Sequence, residues 1–264
     1  MNLLKRLRRL ANPAHLARAV AVRSGEMPSA TLREDLFGLV VRGVHAECER
    51  FRFVQVGGYD GVTNDYLREF LLSHQVEGFI VEPQMAACEA LEKLYAARPD
   101  IHIHRGAVSD QIGELELYKV AEAYRTAPDG SKVPHSIASL DPQHPYRYMQ
   151  KHAAWLPRGL KMTDLLATET VPTHDLRSLF TLLRIDALEL LFVDAEGFDA
   201  NIVTQALEFC RPRIINFEHK GLQRVARRDV WRRLEASGYR LMAHRGDYGD
   251  TLAVREPVPT PAER

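Results

Sequence analysis

A cluster of three glycines directly after an apolar run most constrains the fold of this chain. The run at 51–56 has the composition of a buried strand, and Gly57, Gly58 and Gly61 follow within five positions. Glycine weakens the interior of a strand or helix, so such a cluster indicates a sharp turn or a close approach of the backbone. A helix pattern follows at 63–74. A strand, a glycine-rich turn and a helix in this order are typical of α/β proteins that bind nucleotide-like ligands.

Strand and helix patterns alternate along most of the remaining chain. The strand patterns lie at 78–83, 101–109, 113–120, 187–197, 212–220, 239–245 and 250–256. The helix patterns between them lie at 85–97, 175–183, 199–209 and 227–238. This alternation predicts an α/β fold with a doubly wound, mostly parallel sheet. The short connection between the last two strands predicts that they form an antiparallel hairpin.

Composition excludes several classes of protein. Lysine plus arginine and aspartate plus glutamate both number 35, so no overall field directs the chain to nucleic acid. The three cysteines form neither a metal motif nor an even disulfide set, which favours a reducing compartment. The sequence has no apolar run of about 18 residues, and its start lacks the apolar stretch of a signal peptide. We therefore expect a cytoplasmic protein without a membrane span, whose oligomeric state the sequence leaves open.

The pattern divides the chain into a helical N-terminal extension at 1–48, a main domain at 49–256 and a short tail at 257–264. Within the domain, the alternation breaks at 121–172, which holds several prolines, histidines and aromatic residues. A long irregular insertion in a compact domain is usually a lid or a binding loop. We expect this insertion to be a lid that contacts an acceptor substrate.

Acidic side chains follow two of the predicted strands. Glu82 ends the strand at 78–83, 21 residues after Gly61, where an acid can accept hydrogen bonds from ribose hydroxyls. Asp194 and Glu196 follow the most apolar strand. Such a pair can act as a base, orient a substrate or hold a divalent cation. Asp199 is expected to cap the next helix.

A third polar cluster ends the strand at 212–220. Alternation along the strand places Glu218 and Lys220 on one face and His219 on the other. A histidine titrates near neutral pH, so His219 is a candidate for the group that takes a proton from a hydroxyl, although it can equally be structural.

These motifs together resemble one known family. The segments FVQVGGYDGVTN, GFIVEP, RGAVSD, GELELY, LRSLF, ELLFVDAEGFD and RIINFEHK occur in this order over 51–220. They are similar to those of the FkbM-type family of S-adenosylmethionine-dependent methyltransferases. The resemblance implies the class I methyltransferase fold, a Rossmann-like sheet of seven strands whose last strand is antiparallel. It also implies methyl transfer to hydroxyls of sugars, glycans or natural products.

The resemblance also implies roles for individual residues. The glycine turn would meet the methionine part of the cofactor, Glu82 the ribose, and Ala107 and Val108 the adenine. The implied cofactor-binding residues are Gln55, Gly57, Gly58, Tyr59, Asp60, Gly61, Asn64, Glu82, Pro83, Ala107, Val108, Asp110 and Asp194. The implied catalytic residues are Asp194 and Glu196, close to the transferred methyl, to which we add His219 from the strand pattern. A bound divalent metal is an open alternative for the two acids.

The chain departs from the family at one position, because Gln55 stands where the family usually has aspartate. An amide lacks the charge that would meet the cofactor's ammonium group, and Asp60 is the nearby acid that we expect to replace it. Two other functions remain open. An NAD-dependent reductase or epimerase would share the fold class, but the chain lacks the GxGxxG spacing and a suitable Tyr-x-x-x-Lys pair. A non-catalytic member would keep the pocket for nucleotide or carbohydrate binding only.

Overall fold

The computed structural model describes residues 29–157, 159–242 and 249–255. The helices are α1 (Ser29–His45), α2 (Arg68–Ser73), α3 (Met85–Leu94), α4 (Gln143–His152), α5 (Met162–Leu165), α6 (Leu176–Leu183), α7 (Asp199–Phe209) and α8 (Arg224–Ala236). The strands are β1 (Arg52–Val56), β2 (Glu77–Glu82), β3 (Ile101–Arg105), β4 (Ala107–Val108), β5 (Gly113–Val120), β6 (Leu166–His174), β7 (Leu190–Val193), β8 (Ile214–Glu218), β9 (Arg240–Met242) and β10 (Asp250–Val254).

Seven strands form the main sheet, in the order β3-β2-β1-β7-β8-β10-β9. The strands β3, β2, β1, β7 and β8 are mutually parallel, whereas β10 runs antiparallel to both β8 and β9. All four residues of β7 are buried, as expected for a parallel strand with helices on both faces. The predicted doubly wound sheet with an antiparallel last strand and a C-terminal hairpin is confirmed.

Helices cover the main sheet on both faces. Side chains of α1, α2 and α3 pack with Phe53 and Ile80 on one face. Side chains of α6, α7 and α8 pack with Val54 and Phe217 on the other face. Phe53 and Phe217 are fully buried, and truncation of such an aromatic residue to alanine typically costs about 3–5 kcal/mol. The rigid sheet therefore fixes the loops at its strand ends.

The N-terminal extension is only partly described. Residues 1–28 lie outside the described residues, as do 243–248 in the hairpin connection and the predicted tail. The described helix α1 packs Phe37, Val40 and Val44 onto the core of the main sheet. This part of the extension is therefore one layer of the domain. No helix among the described residues is long and apolar enough to cross a membrane.

The segment 121–172 is more regular than the sequence pattern predicts. It contains α4, α5 and most of β6, and the long strand β6 pairs antiparallel with β5. Val133, Met149 and Leu165 form a small separate core in this segment. The prediction of an irregular insertion was wrong because β6 is rich in threonine and half-exposed, and therefore lacks a clear apolar alternation.

The strand predicted at 101–109 is divided into two. Its first part, β3, is at the edge of the main sheet, whereas β4 joins β6 and β5 in a separate three-stranded sheet. Gly106 separates the two parts, and a Cβ atom at this position would lie 3.3 Å from the carbonyl oxygen of Pro172. The break therefore occurs where the chain passes close to the end of β6.

Candidate functional site

A cavity of about 410 Å³ opens at the carboxyl ends of β1, β2, β7 and β8. Open α/β sheets bind their ligands at this position. It brings together ten of the thirteen predicted cofactor-binding residues. These ten are Gln55, Gly57, Gly58, Tyr59, Asn64, Glu82, Pro83, Ala107, Val108 and Asp194. The predicted catalytic residue Glu196 also lines the cavity.

The floor of the cavity is formed by two loops that touch through their backbones. Gly57 has a φ of +82°, and a Cβ atom there would lie 1.8 Å from the carbonyl oxygen of Asp194. Only glycine permits this approach of the loop after β1 to the loop after β7. Gly58 and Gly61 instead accommodate Ile80 and Leu91, and Gly61 does not line the cavity. Contacts within the protein therefore explain all three glycines of the cluster.

Backbone amides hold the Glu82 carboxylate in the wall of the cavity. Its Oε2 accepts from the backbone N of Tyr59 and its Oε1 from that of Gln84, each at 2.9 Å. The side chain is 3% exposed. Burial raises the pKa of Glu82, while these hydrogen bonds oppose the rise. The Gln84 side chain and the Gly58 backbone also donate to it, so the carboxylate is fixed in orientation where it lines the cavity.

The buried Gln55 and the half-buried Asp65 form a polar pair in the wall of the cavity. Gln55 Nε2 donates to Asp65 Oδ2 at 3.2 Å. Asp65 Oδ1 accepts from the backbone N atoms of Leu67 and Arg68 at the start of α2. Burial raises the pKa of Asp65, and these donors oppose the rise. Asp65 was missed from the sequence, although its position before a helix is a recognisable capping signal.

Asp60, predicted to supply charge to the cofactor, has a local role in the structure. Its carboxylate accepts from the backbone N atoms of Val62 and Thr63 and from Thr63 Oγ1. It does not line the cavity. Asp110 is exposed and also lies outside the lining. The structure therefore does not bring Asp60, Gly61 or Asp110 to the predicted cofactor site.

Three carboxylates converge on the opposite side of the cavity from Glu82. Asp194, Glu196 and Glu218 have oxygens that all lie within 4.8 Å of one another. Desolvation by the surrounding cavity wall and the charges of the neighbouring carboxylates raise the pKa of Asp194 well above its usual value. Burial and the charge of Glu196 raise the pKa of Glu218 to about 7. This geometry suits either a proton shared among carboxylates or a divalent cation.

A histidine from α4 contacts this cluster. His144 Nε2 donates to Glu196 Oε2 at 2.7 Å. Burial lowers the pKa of His144, but the hydrogen bond and charge of Glu196 outweigh it, and the net pKa is raised. Ser139 Oγ also donates to the carbonyl oxygen of Glu196 at 2.7 Å. Two residues of the segment 121–172 thus hold the loop after β7, a contact that sequence spacing did not reveal.

The loop between β7 and α7 is also held from its other end. The buried Asp199 carboxylate accepts from the backbone N atoms of Ala195 and Gly197. It therefore shapes the loop that precedes α7. The prediction that Asp199 caps this helix was wrong, because Phe198 is the N-cap residue and no side-chain cap hydrogen bond forms. Glu196 has a φ of +47°, a conformation that costs a non-glycine residue about 1–3 kcal/mol. The contacts to this loop keep Glu196 in that conformation.

His219 is directed away from the cavity. Its Nδ1 lies 3.0 Å from Thr251 Oγ1, and its ring contacts the ring of Trp231 on α8. The side chain is buried and does not line the cavity, whereas Glu218 does. The predicted alternation of the two faces is confirmed, and it removes His219 from the site. The prediction that His219 accepts a proton from the substrate is corrected accordingly.

The cavity is strongly acidic. Six carboxylates line it, and within the described part of the chain no lysine or arginine does. The sixth acid, Asp250, accepts a hydrogen bond from Tyr66, whose hydroxyl accepts from Asn216 Nδ2 at 2.8 Å. A ligand with net positive charge suits this surface. S-adenosylmethionine carries a sulfonium and an ammonium group against one carboxylate, so the residues present fit it.

The strand order and the position of the cavity define the class of protein. A sheet of seven strands with an antiparallel last strand inserted next to the edge, and a ligand cavity after β1 and β2, is the class I methyltransferase fold. The model of the FkbM methyltransferase domain matches residues 55–241. The chain therefore belongs to the FkbM family of S-adenosylmethionine-dependent methyltransferases.

Solved structures similar to this chain include three methyltransferase-fold proteins. An FkbM methyltransferase from Methylobacillus flagellatus KT is 10% identical, with a TM-score of 0.44 over 93% of this chain and 60% of that protein. The carbon methyltransferase CurJ is 8% identical, with a TM-score of 0.43 over 93% and 59%. Fibrillarin from Aeropyrum pernix, with natively bound S-adenosyl-L-methionine, is 12% identical, with a TM-score of 0.39 over 78% and 67%. No protein of curated function matches the chain.

Proposed function

We propose that this protein transfers a methyl group from S-adenosylmethionine to a hydroxyl of a sugar, glycan or natural-product acceptor. The observation that supports this reaction is the group of three carboxylates beside the cofactor cavity. A hydroxyl must lose its proton when it is methylated, and a base is most effective when its pKa lies near the working pH. Glu218, whose pKa burial and neighbouring charge raise to about 7, meets this requirement.

In this proposal the cofactor supplies a methyl group that its sulfonium already activates. The chain's own residues position the two reactants and remove one proton. Positioning of this kind contributes roughly 7–11 kcal/mol to lowering a barrier. Glu218 accepts the hydroxyl proton, a step worth typically about 10²–10⁴-fold in rate. Asp194, on the neighbouring strand end, orients the cofactor or the acceptor.

We propose that the segment 121–172 binds the acceptor. Ser136, Ser139 and Leu140 of this segment line the cavity, and His144 reaches Glu196. A polar and partly aliphatic lining of this kind suits a neutral polyhydroxylated acceptor. A segment with its own small core can present these groups at fixed positions.

The test is a methylation assay with a panel of hydroxylated acceptors and analysis of the methylated atom by NMR. We expect release of S-adenosylhomocysteine that depends on a hydroxyl acceptor. Glu218→Gln should lower the rate by about 100-fold or more, whereas Glu208→Gln, an exposed control on α7, should not. Methylation at carbon or nitrogen would refute O-methyl transfer. Cofactor binding without turnover of any acceptor would favour the non-catalytic alternative.

In a second version of this proposal, the same site binds a divalent metal ion. Asp194, Glu196 and Glu218 could hold such an ion, which would lower the pKa of the acceptor hydroxyl. Titration of the activity with a strong chelator separates the two versions. Full activity in the presence of the chelator would refute the metal version. A loss of activity that Mg²⁺ or Mn²⁺ restores would refute the role of Glu218 as a free base.

We also propose a cytoplasmic location. Cys48, Cys88 and Cys210 are all free thiols in the structure, which suits a reducing compartment. Fractionation of cells that express the tagged chain tests this proposal, and recovery outside the cytoplasm would contradict it.

A further inference from the structure

A buried acceptor without a partner lies in the wall of the cavity. Gln55 is 2% exposed, and its Oε1 atom has no hydrogen-bond partner. An unsatisfied buried acceptor destabilises the folded state. Native proteins rarely tolerate this cost unless a water, an ion or a ligand satisfies the group. Because Gln55 lines the cavity, a ligand with an N–H or O–H donor can satisfy it.

The orientation of the Gln55 amide follows from its neighbour. Its nitrogen donates to Asp65 Oδ2, whereas the opposite orientation would place an amide oxygen against a carboxylate oxygen. Asp65 is held in turn by the backbone N atoms of Leu67 and Arg68. This chain of contacts presents an acceptor to the ligand and places a carboxylate directly behind it. Such an arrangement favours a donor that carries positive charge.

The position of Gln55 in the sheet indicates which part of the cofactor it meets. Gln55 pairs with Ile80 of β2 on one side and with Phe192 of β7 on the other. It therefore stands between Glu82, the predicted ribose ligand, and the carboxylates after β7. The group of the cofactor that is both cationic and an N–H donor is the α-ammonium of its methionine part, which lies beyond the ribose.

We propose that Gln55 and Asp65 together bind the α-ammonium group of S-adenosylmethionine. This inference rests on the proposed use of S-adenosylmethionine as the cofactor. It concerns the site around Gln55, where this chain differs from the family. Where the family usually has one aspartate, this chain divides the task between two residues. Gln55 supplies the acceptor atom, and Asp65 supplies the charge. Asp65 thus takes the role that the sequence had assigned to Asp60.

Calorimetric titration with two ligands tests this assignment. S-adenosylhomocysteine carries the α-ammonium group, whereas methylthioadenosine contains the nucleoside half alone. The variants are Gln55→Met, which keeps the volume without the acceptor, and Asp65→Asn, which keeps a side chain able to cap α2. We expect each variant to lower the affinity for S-adenosylhomocysteine by about 10- to 100-fold. The affinity for methylthioadenosine should fall by less than about twofold. Thermal melting of each variant confirms that it is folded.

The double variant gives a second, independent measurement. If the two residues act as a unit, its loss of affinity for S-adenosylhomocysteine is smaller than the product of the two single losses. Equal weakening of both ligands, or unchanged binding of S-adenosylhomocysteine, would overturn the proposal. Failure of the wild-type protein to bind either ligand would overturn the cofactor assignment itself. If the wild type binds both ligands and the variants do not weaken S-adenosylhomocysteine binding more than methylthioadenosine binding, this inference alone is overturned.

Discussion

Replacement of Glu218 by glutamine is expected to make the protein more stable and less active at the same time. Burial and the charge of Glu196 raise the pKa of Glu218 from 4.5 to about 7. At about 1.36 kcal/mol for each pKa unit, this rise corresponds to about 3 kcal/mol. Water in the open cavity screens part of this energy, which leaves about 2 kcal/mol. The ionised Glu218 therefore destabilises the fold at neutral pH.

The direction of the pH dependence follows from proton binding. The unfolded chain releases the Glu218 proton near pH 4.5, whereas the folded protein keeps it until the pKa of about 7. Between these values the folded state binds more protons, so stability decreases as pH rises through this window and stays reduced above it. Glutamine cannot ionise. The variant should therefore gain about 2 kcal/mol at pH 8 and almost nothing at pH 4.5.

Urea unfolding at the two pH values measures this difference, with Glu208→Gln as the exposed control. In parallel, kcat/KM of the wild type should rise with pH through about 7, and the Glu218→Gln variant should be slower by about 100-fold or more without this rise. Loss of stability at pH 8, or a variant with the wild-type rate and pH profile, would refute the reasoning. Stability gained at the cost of activity is the expected mark of a functional site.

Three further predictions concern the cavity and its surroundings. Glu82→Gln should lower the affinity for the cofactor by about 10-fold or more in calorimetry, because one charged acceptor is lost. Unchanged affinity would contradict the role of Glu82 as the ribose ligand. Gly57→Ala should lower the melting temperature markedly, since the added Cβ would lie 1.8 Å from the Asp194 carbonyl oxygen; a wild-type melting curve would show that this contact relaxes. His219→Asn should reduce stability through lost contacts with Thr251 but leave the pH profile of kcat unchanged; a shifted profile would restore His219 as a proton acceptor.

The sequence predicted those parts of the site that lie at the ends of apolar strands. Glu82 and Asp194 both follow runs whose composition identifies them as strands, and parallel strands bring their carboxyl ends to one edge. The same reasoning placed Glu218 and His219 on opposite faces. A local pattern was sufficient in these cases because the position in the strand determines where the side chain points.

Other parts depend on contacts between distant segments and left no local signal. His144 reaches Glu196 only because α4 packs over the loop after β7. The strand β6 was not recognised because it pairs with β5 across a helical segment and exposes Ala167, Thr168 and Thr170. Gly61 was interpreted as a ligand contact, whereas it packs against Leu91 and Leu94. A glycine signals close approach, but the sequence does not show what approaches.

Two of the three carboxylates, Glu196 and Glu218, differ in their contacts. Glu196 is paired with His144 and held in a strained conformation, so its charge is committed to that pair. This charge, together with burial, raises the pKa of Glu218 to about 7. Glu218 thus becomes the member that can exchange a proton near neutral pH because its neighbour cannot move away. In the proposed reaction a base tuned in this way depends on the segment 121–172, which supplies His144, and we therefore expect acceptor binding and proton removal to be coupled through this segment.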